Sequence, residues 1–142
     1  MTELSEQSLL AGLTTEELVR LAALGTTRAY QPGERIIAAN EPPVSLFFLR
    51  SGVVHVTLPS GVRLATLTAG MAFGEMALLE THRSADVLAD KAVTALVVPL
   101  DDVQRFREAH PRTGERIMRN LAQLLADRLI VANTKVNLLT EN

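Results

Sequence analysis

Residues 73–87 combine groups that could bind a phosphate and a sugar hydroxyl. The run reads FGEMALLETHRSADV, so that a Gly74-Glu75 pair precedes a short apolar segment and an Arg83-Ser84 pair follows it. Backbone N–H groups at the start of a helical turn point toward an anion, and a guanidinium matches the planar geometry of phosphate oxygens. The carboxylate of Glu75 can accept a hydrogen bond from a hydroxyl. Together, these groups predict a pocket for a nucleotide with its sugar.

The order of these residues resembles the phosphate-binding cassette of the cyclic nucleotide-binding domain family. The resemblance extends from about Leu18 to about Leu139, and in the cassette (73–87) it rests on Phe73, Gly74, Glu75, Met76, Ala77, Leu78, Arg83, Ser84, Ala85 and Val87. It implies that Gly74-Glu75 holds the ribose 2′-hydroxyl and nearby backbone, while Arg83-Ser84 holds the cyclic phosphate. The implied ligand is cAMP or cGMP, with cAMP slightly preferred. The ligand-binding residues expected in the cassette are Phe73, Gly74, Glu75, Met76, Ala77, Arg83 and Ser84.

The last helix resembles that of the catabolite activator branch of the family. In that branch, two small hydroxyl residues on the helix touch the adenine, and the matching positions here hold Ala132 and Asn133. Of the two, only Asn133 has a side chain that can hydrogen-bond a base, so Asn133 joins the expected ligand-binding residues. A solvated asparagine is the simpler alternative. The DNA-binding domain that follows this helix in transcription regulators is not expected here, and the resemblance implies a regulatory module of a larger protein such as a transporter, glutaminase or transcription regulator.

Composition narrows the function classes. A chain of 142 residues with 47% hydrophobic and 21% charged residues fits one ordered domain, 1–142. The net charge of −2 argues against direct nucleic-acid binding, which needs a basic face. The absence of cysteine excludes disulfides and thiolate metal sites. No apolar run is long enough to cross a bilayer, and the acidic N-terminal residues are unlike a signal peptide, so a cytoplasmic location without membrane insertion is expected.

The pattern along the chain predicts an α+β fold in three parts. A helical part (1–25) contains a helix that starts after Thr14 and ends at Gly25. The middle part (26–100) alternates short apolar runs with turn signals such as Pro32-Gly33 and Asn40. It predicts an antiparallel β-roll of jelly-roll type that includes the cassette, with a hairpin from 53 to 67 and at least one strand in 87–100. The last part (101–142) predicts a short helix, interrupted at Pro111, and a long helix.

The long helix carries two apolar stripes. One is a heptad seam made of Met118, Ala122, Leu125, Leu129, Ala132, Val136 and Leu139. The other lies beside it and comprises Ile117, Leu121, Leu124 and Val131. A helix with one stripe for its own domain and one for a second copy has this pattern. The expected assembly is therefore a homodimer through helix 113–139, with a seam that serves only the intrachain core as the alternative.

Catalysis is not expected from the sequence. The three histidines, His55, His82 and His110, are far apart and lack metal-ligand spacing, and no nucleophile–base pattern is present. A cupin-like metalloenzyme, which would share a β-roll, is one alternative. Another is a degenerate domain that no longer binds nucleotide and acts in dimerisation or interaction, because the loop 80–82 is short and Met71 stands where the family often has an acid. For Arg83, the alternative is an exposed loop arginine paired with Glu80 or Asp86.

Overall fold

The computed structural model describes residues 9–79 and 83–140, with side chains described as far as residue 127. In chain order, the elements are α1 (Thr15–Ala22), β1 (Thr26–Tyr30), β2 (Arg35–Ile37), β3 (Ser45–Ser51), β4 (Val54–Thr57), β5 (Arg63–Leu67), β6 (Ala72–Phe73), a 3₁₀ turn (Glu75–Leu78), β7 (Asp86–Ala89), β8 (Val93–Pro99), α2 (Leu100–Ala109) and α3 (Pro111–Thr140). In these residues, no helix is long and apolar enough to cross a membrane.

The strands form two four-stranded sheets, and every strand pairing is antiparallel. The first sheet has the order β1-β8-β3-β6 and the second has the order β2-β7-β4-β5. The predicted α+β fold, with an antiparallel β-roll, an N-terminal helix and two C-terminal helices, is confirmed. The predicted hairpin is β4–β5, and the region expected to hold at least one strand holds β7 and β8.

Strands β3 and β8 are buried on both faces and separate two cores. On β3, Phe47 and Leu49 face the inner core between the sheets, while Leu46 and Phe48 face the outer core between the first sheet and the helices. Side chains alternate between the two faces of a strand, so a continuous apolar run supplies both cores. The same alternation holds for 95–98 on β8. These two strands therefore fix the helices and the β-roll in one framework.

Helix α1 starts after Thr14, as the sequence predicts, and a capping box closes its first turn. The Glu17 backbone N–H donates to the Thr14 hydroxyl at 3.1 Å, and the Thr14 N–H donates to the Glu17 carboxylate at 2.8 Å. The helix ends at Ala22 rather than at Gly25, because the turn is closed by Ala23 in a right-handed conformation. Gly25 has a different role: a Cβ there would lie 2.8 Å from a Leu96 methyl carbon, so only glycine fits against the first sheet.

Helix α3 is tied to the N-terminal segment. Pro111 occupies its first position, where the missing N–H costs nothing. The Thr113 hydroxyl donates to the Glu17 carboxylate. Two turns further along α3, the Asn120 side-chain amide donates to the backbone carbonyls of Leu9 and Ala11 at 3.0 and 2.8 Å. These bonds join residues about a hundred positions apart in sequence, so they tie the N-terminal segment to the first half of α3.

Residues from both apolar stripes of α3 pack in the core of this chain. Ile117 and Leu121, from the second stripe, are each 1% exposed in the outer core. Met118 and Leu125 were assigned to a seam for a second copy, yet both are half-buried against the same outer core. Of the seam residues whose side chains are described, only Ala122 is exposed. The expected dimer is untested by these intrachain contacts.

Turn residues adopt the backbone conformations that their types favour. Gly33 has φ +83°, and the Glu34 N–H closes the turn by donating to the Gln31 carbonyl at 3.0 Å. Asn40 has φ +72°, in the left-handed region that asparagine tolerates. Gly74, between β6 and the 3₁₀ turn, has φ +70°. A Cβ at Gly74 would lie 3.1 Å from the nearest atoms of three side chains, those of Arg83, Ile37 and Phe47.

We expect the Thr113→Val substitution to make stability less dependent on pH. Hydrogen bonds to the Glu17 carboxylate, first from the Thr113 hydroxyl and then from the Thr14 backbone, lower the pKa of Glu17 below its ordinary value of 4.5. A lowered folded-state pKa contributes stability that is present above the unfolded-state pKa and is lost as the pH falls through the folded-state value. The stability gap between wild type and Thr113→Val should therefore be largest above about pH 4.5 and shrink below it.

Urea unfolding between pH 3 and pH 7 measures this gap. Thr27→Val, on the exposed face of β1, is the control with the same side-chain change and should show no such trend. A gap that stays constant across the pH range would mean that the Thr113–Glu17 contact does not favour the charged carboxylate.

We expect Gly74→Ala to destabilise the fold more than an alanine at Gly33 or Gly61, two other glycines with positive φ. Gly33 and Gly61 have φ of +83° and +95°, and a Cβ at either position meets no atom within 4 Å. Alanine there costs only backbone strain, about 1–2 kcal/mol. At Gly74 the same strain is joined by crowding against three side chains. Urea unfolding of the three variants measures the difference in the free energy of unfolding. Equal losses of stability would show that the side chains around Gly74 accommodate the added methyl group at no energetic cost.

Candidate ligand-binding site

A cavity of about 660 Å³ lies between the cassette, the second sheet and α3. This volume is within the range of small-molecule sites, roughly 300–1,000 Å³. The cassette side chains and glycine that line it are Phe73, Gly74, Glu75, Met76, Arg83, Ser84, Ala85 and Val87. The cavity therefore brings together six of the seven cassette residues expected to bind ligand.

Arg83 is buried at the cavity wall, and its guanidinium is bound by backbone carbonyls. The side chain is 7% exposed. Its Nη1 donates to the Gly74 carbonyl at 2.8 Å, and its Nη2 donates to the Ser45 carbonyl at 2.7 Å. The alternative of an exposed loop arginine is therefore wrong. The position of Asp86 fits this result, because its carboxylate accepts from the Ala39 N–H at 2.8 Å and faces Arg35.

The backbone of Arg83 is fixed as well as its side chain. The Arg83 N–H donates to the Glu41 carbonyl at 2.8 Å, and the Arg83 carbonyl accepts from the Asn40 N–H at 2.7 Å. The left-handed turn at Asn40 directs its N–H toward the cassette. Both ends of the arginine are thus held by the segments before and within β3, which presents the guanidinium at a defined place in the wall.

Glu75 provides a buried carboxylate on the same wall. It begins the 3₁₀ turn, directly after Gly74, and is 4% exposed. Phe73, directly before this pair, stacks on Phe47 with ring centroids 4.9 Å apart and an 8° angle between the rings. This aromatic pair anchors the start of the cassette in the inner core. The wall thereby carries a cation and a carboxylate at fixed positions close to each other.

Ser84 extends the polar wall toward solvent. Its side chain is exposed and lines the cavity next to Arg83. A hydroxyl can donate one hydrogen bond and accept two, so Ser84 can bind an oxyanion without the desolvation that burial requires. The loop 80–82, expected to be short, lies outside the described residues.

The remaining walls are mainly apolar. The second sheet contributes Ile37, Val56, Leu64, Ala65 and Leu67, and α3 contributes Leu124. An apolar wall opposite a polar one suits a ligand with a charged group at one end and a flat, largely apolar body at the other.

Two charged residues in the cavity were not expected from the sequence. Arg63 on β5 and Asp127 on α3 line it, and the Asp127 carboxylate accepts from the Gln123 side chain at 2.9 Å. Each resembles an ordinary solvated charge in sequence. The only available signal was indirect: Asp127 follows Leu124 by almost one helical turn, so both lie on the side of α3 that faces the cavity.

Of the residues expected to bind ligand, one packs outside the cavity, and the side chain of another lies outside the described residues. The Ala77 side chain packs in the outer core, where it is 4% exposed, and does not line the cavity. Asn133 lies within α3, but its side chain is outside the described residues. For these two residues, the sequence-based roles stay predictions.

The described residues contain no group of three or more side chains suited to hold a metal ion. His55 lies on β4, where its Nδ1 is 3.1 Å from the Thr66 hydroxyl and its Nε2 is 3.3 Å from the Asp90 carboxylate. The His110 ring contacts the Phe106 ring at the end of α2, with ring centroids 4.7 Å apart and a 49° angle between the rings. Both positions are explained by packing and hydrogen bonding, while His82 lies outside the described part of the chain.

Two relatives share nearly the whole chain. Glutaminase 1 and Glutaminase 2 of Bradyrhizobium diazoefficiens are 69% and 57% identical over 98% and 96% of this chain. The chain spans only 23% and 22% of their respective lengths. A more distant relative, the cAMP-dependent protein kinase type II regulatory subunit of Drosophila melanogaster, is 28% identical over 95% of this chain and 36% of its own length.

The fold is also that of a solved structure, the Catabolite Activator Protein of Thermus thermophilus. The two superpose with a TM-score of 0.78 and are 32% identical, covering 94% of this chain and 63% of the other. The family model of the cyclic nucleotide-binding domain matches residues 27–110, which is more than half of the chain. The matched residues include the cassette, which lies on one wall of the cavity. The chain belongs to the cyclic nucleotide-binding domain family.

Proposed function

We propose that the chain binds a cyclic nucleotide and acts as a regulatory sensor domain. The observation that carries the proposal is that Arg83, Ser84 and Glu75 line one cavity together with apolar residues of the second sheet. Arg83 and Ser84 would bind the cyclic phosphate, and Glu75 would accept a hydrogen bond from the ribose 2′-hydroxyl. A charge-assisted hydrogen bond to phosphate is roughly twice as strong as a neutral one, so most of the affinity would come from this wall.

Helix α3 would transmit the ligand state. Leu124 lines the cavity, and Asn120, one turn earlier, holds the N-terminal segment through its bonds to Leu9 and Ala11. A ligand that contacts the helix in only one of two positions shifts the population toward that position. The shift is limited by the difference in affinity between the two states. In this proposal, a displacement of α3 is passed to the N-terminal segment and to an attached effector domain.

The effector is proposed to be a glutaminase. The support is the high identity to Glutaminase 1 and Glutaminase 2, of which this chain corresponds to less than a quarter. The chain is proposed to regulate and not to catalyse. A cytoplasmic location remains part of this proposal.

A second function, as an interaction module without nucleotide, is favoured by one observation. Two nitrogens of the Arg83 guanidinium already donate to backbone carbonyls. If this arginine serves only to hold the cassette against β3, the cavity loses its main phosphate ligand. The two functions differ in one measurable property, which is the binding of a cyclic nucleotide.

We expect cAMP or cGMP to bind with saturable heat in calorimetric titration, and Ser84→Ala to weaken binding about tenfold to a hundredfold. The range follows from about 1.5–3 kcal/mol for a hydrogen bond to a charged group. Because Ser84 is exposed, its removal should leave the melting temperature of the unliganded protein unchanged.

Ser60→Ala, in the exposed turn between β4 and β5, is the matched control and should bind as wild type does. Thermal melting gives an independent readout, because ligand at a hundred times its dissociation constant stabilises the fold by about 2.7 kcal/mol. No heat and no stabilisation at millimolar cAMP and cGMP would reject the sensor function in favour of the interaction module.

The proposal includes a homodimer through helix 113–139. Since Leu125 packs against the outer core of its own chain, a charge there would disturb the fold and the assembly together. Ala122 is exposed on the seam and gives a cleaner test. We expect Ala122→Glu to convert the dimer to a monomer in sedimentation experiments, because the substitution places a charge in the contact.

The control for this change is Arg119→Glu, also exposed on α3 but outside the seam. It should leave the sedimenting mass unchanged. The same mass for wild type and Ala122→Glu would argue against a dimer through this face of the helix.

A further inference from the structure

Two charged side chains in the cavity have no role in the proposed binding of phosphate and ribose. Arg63 enters from β5 and Asp127 from α3, whereas the groups assigned to phosphate and sugar all lie in the cassette. A nucleotide held by the cassette has one remaining part, its base. The inference that follows rests on the proposed function, and it concerns which base the cavity selects.

Arg63 and Asp127 both line the cavity and do not form an ion pair with each other. In the part of the chain that the structure describes, neither side chain takes part in an ion pair of up to 4.0 Å. Asp127 is oriented by Gln123, whose amide donates to Oδ1 at 2.9 Å. A carboxylate has two oxygens with about four acceptor sites, so this bond fixes the group and leaves it able to accept from a ligand.

The hydrogen-bonding capacities of these two side chains match guanine. An ionised carboxylate only accepts, and a guanidinium only donates. Guanine presents adjacent donors at N1 and the 2-amino group, and adjacent acceptors at O6 and N7. Adenine presents an acceptor at N1 beside its 6-amino donor, and that amino group next to N7. A carboxylate would therefore face the N1 lone pair of adenine, and a guanidinium would face its amino hydrogens.

We propose that Arg63 and Asp127 contact the base and make the chain selective for cGMP over cAMP. Asp127 accepts from N1–H and the 2-amino group, and Arg63 donates to O6 and N7. This proposal reverses the slight preference for cAMP expected from the sequence. Both side chains are exposed, so water can satisfy them when adenine is bound. The expected selectivity is therefore tenfold to a hundredfold, within what one bidentate contact to a base provides.

The experiment is calorimetric titration of the full chain with cGMP, cAMP and cyclic inosine monophosphate. The inosine nucleotide lacks only the 2-amino group, so it should bind with an affinity between those of the other two. Asp127→Asn should weaken cGMP binding about tenfold and change cAMP binding less than threefold, because an amide presents a donor beside its acceptor. Arg63→Gln should lower the cGMP preference in the same way, since glutamine can bind adenine through N6 and N7.

Glu115→Gln and Arg119→Gln are the matched controls. These two residues lie on α3, form an exposed ion pair with each other at 3.0 Å, and are not part of the cavity lining. Each control removes the same charge as its test variant and should leave the ratio of cGMP to cAMP affinity at the wild-type value. A comparison with these variants distinguishes the loss of a contact to the base from a change in the electrostatic potential of the whole protein.

The outcomes distinguish the base preference from the sensor function. If wild type binds both nucleotides equally, or cAMP more tightly, the base preference is wrong and the sensor function stands. The same holds if Asp127→Asn and Arg63→Gln change the affinity ratio no more than the controls do. If wild type binds none of the three nucleotides, both proposals fail. Should a variant not fold, the order of the three nucleotides on wild type alone decides the base preference.

Discussion

The Arg83 guanidinium joins two segments that are far apart in the chain, and the shape of the cavity depends on it. It donates to the carbonyls of Gly74 and Ser45, so it holds the start of the 3₁₀ turn against β3. Burial of a charge is costly unless hydrogen bonds compensate it, and the two carbonyls supply that compensation. Gly74 has no Cβ to block this approach. The residue assigned to phosphate binding thus also maintains the wall, and binding and folding cannot be separated at this position.

The framework around this junction connects the cavity to distant parts of the fold. Strands β3 and β8 belong to both cores, so the first sheet gives the cassette a rigid support. Helix α3 has a different kind of attachment. Its first half is packed in the outer core and hydrogen-bonded to the N-terminal segment, whereas Leu124 and Asp127 reach the cavity. These contact points lie within two helical turns of each other. Under the proposed function, a ligand that displaces the helix would therefore strain its hydrogen bonds to Leu9 and Ala11.

The parts predicted from sequence are those governed by local chemistry. The helix start at Thr14, the turn at Gly33 and the left-handed conformation at Asn40 each follow from the residue type at that position. The partners of Arg83 could not be predicted, because backbone carbonyls have no signature in the sequence. Arg63 and Asp127 were missed for a related reason: each resembles a solvated charge until the fold places β5 and α3 around one cavity. Gly25 was mistaken for a helix stop because close contact with Leu96 is a tertiary constraint.

Under the proposed function, different elements of the fold would contact different parts of the nucleotide. The phosphate and ribose contacts would come from the cassette, which is fixed to the first sheet, while one of the two base contacts would come from Asp127 on the helix. Affinity and response would then depend on different parts of the nucleotide. A ligand shifts a conformational equilibrium only through contacts that differ between the two states. A nucleotide whose base cannot donate to Asp127 would bind the cassette yet move the helix less, so it would act as a weak activator even at saturation.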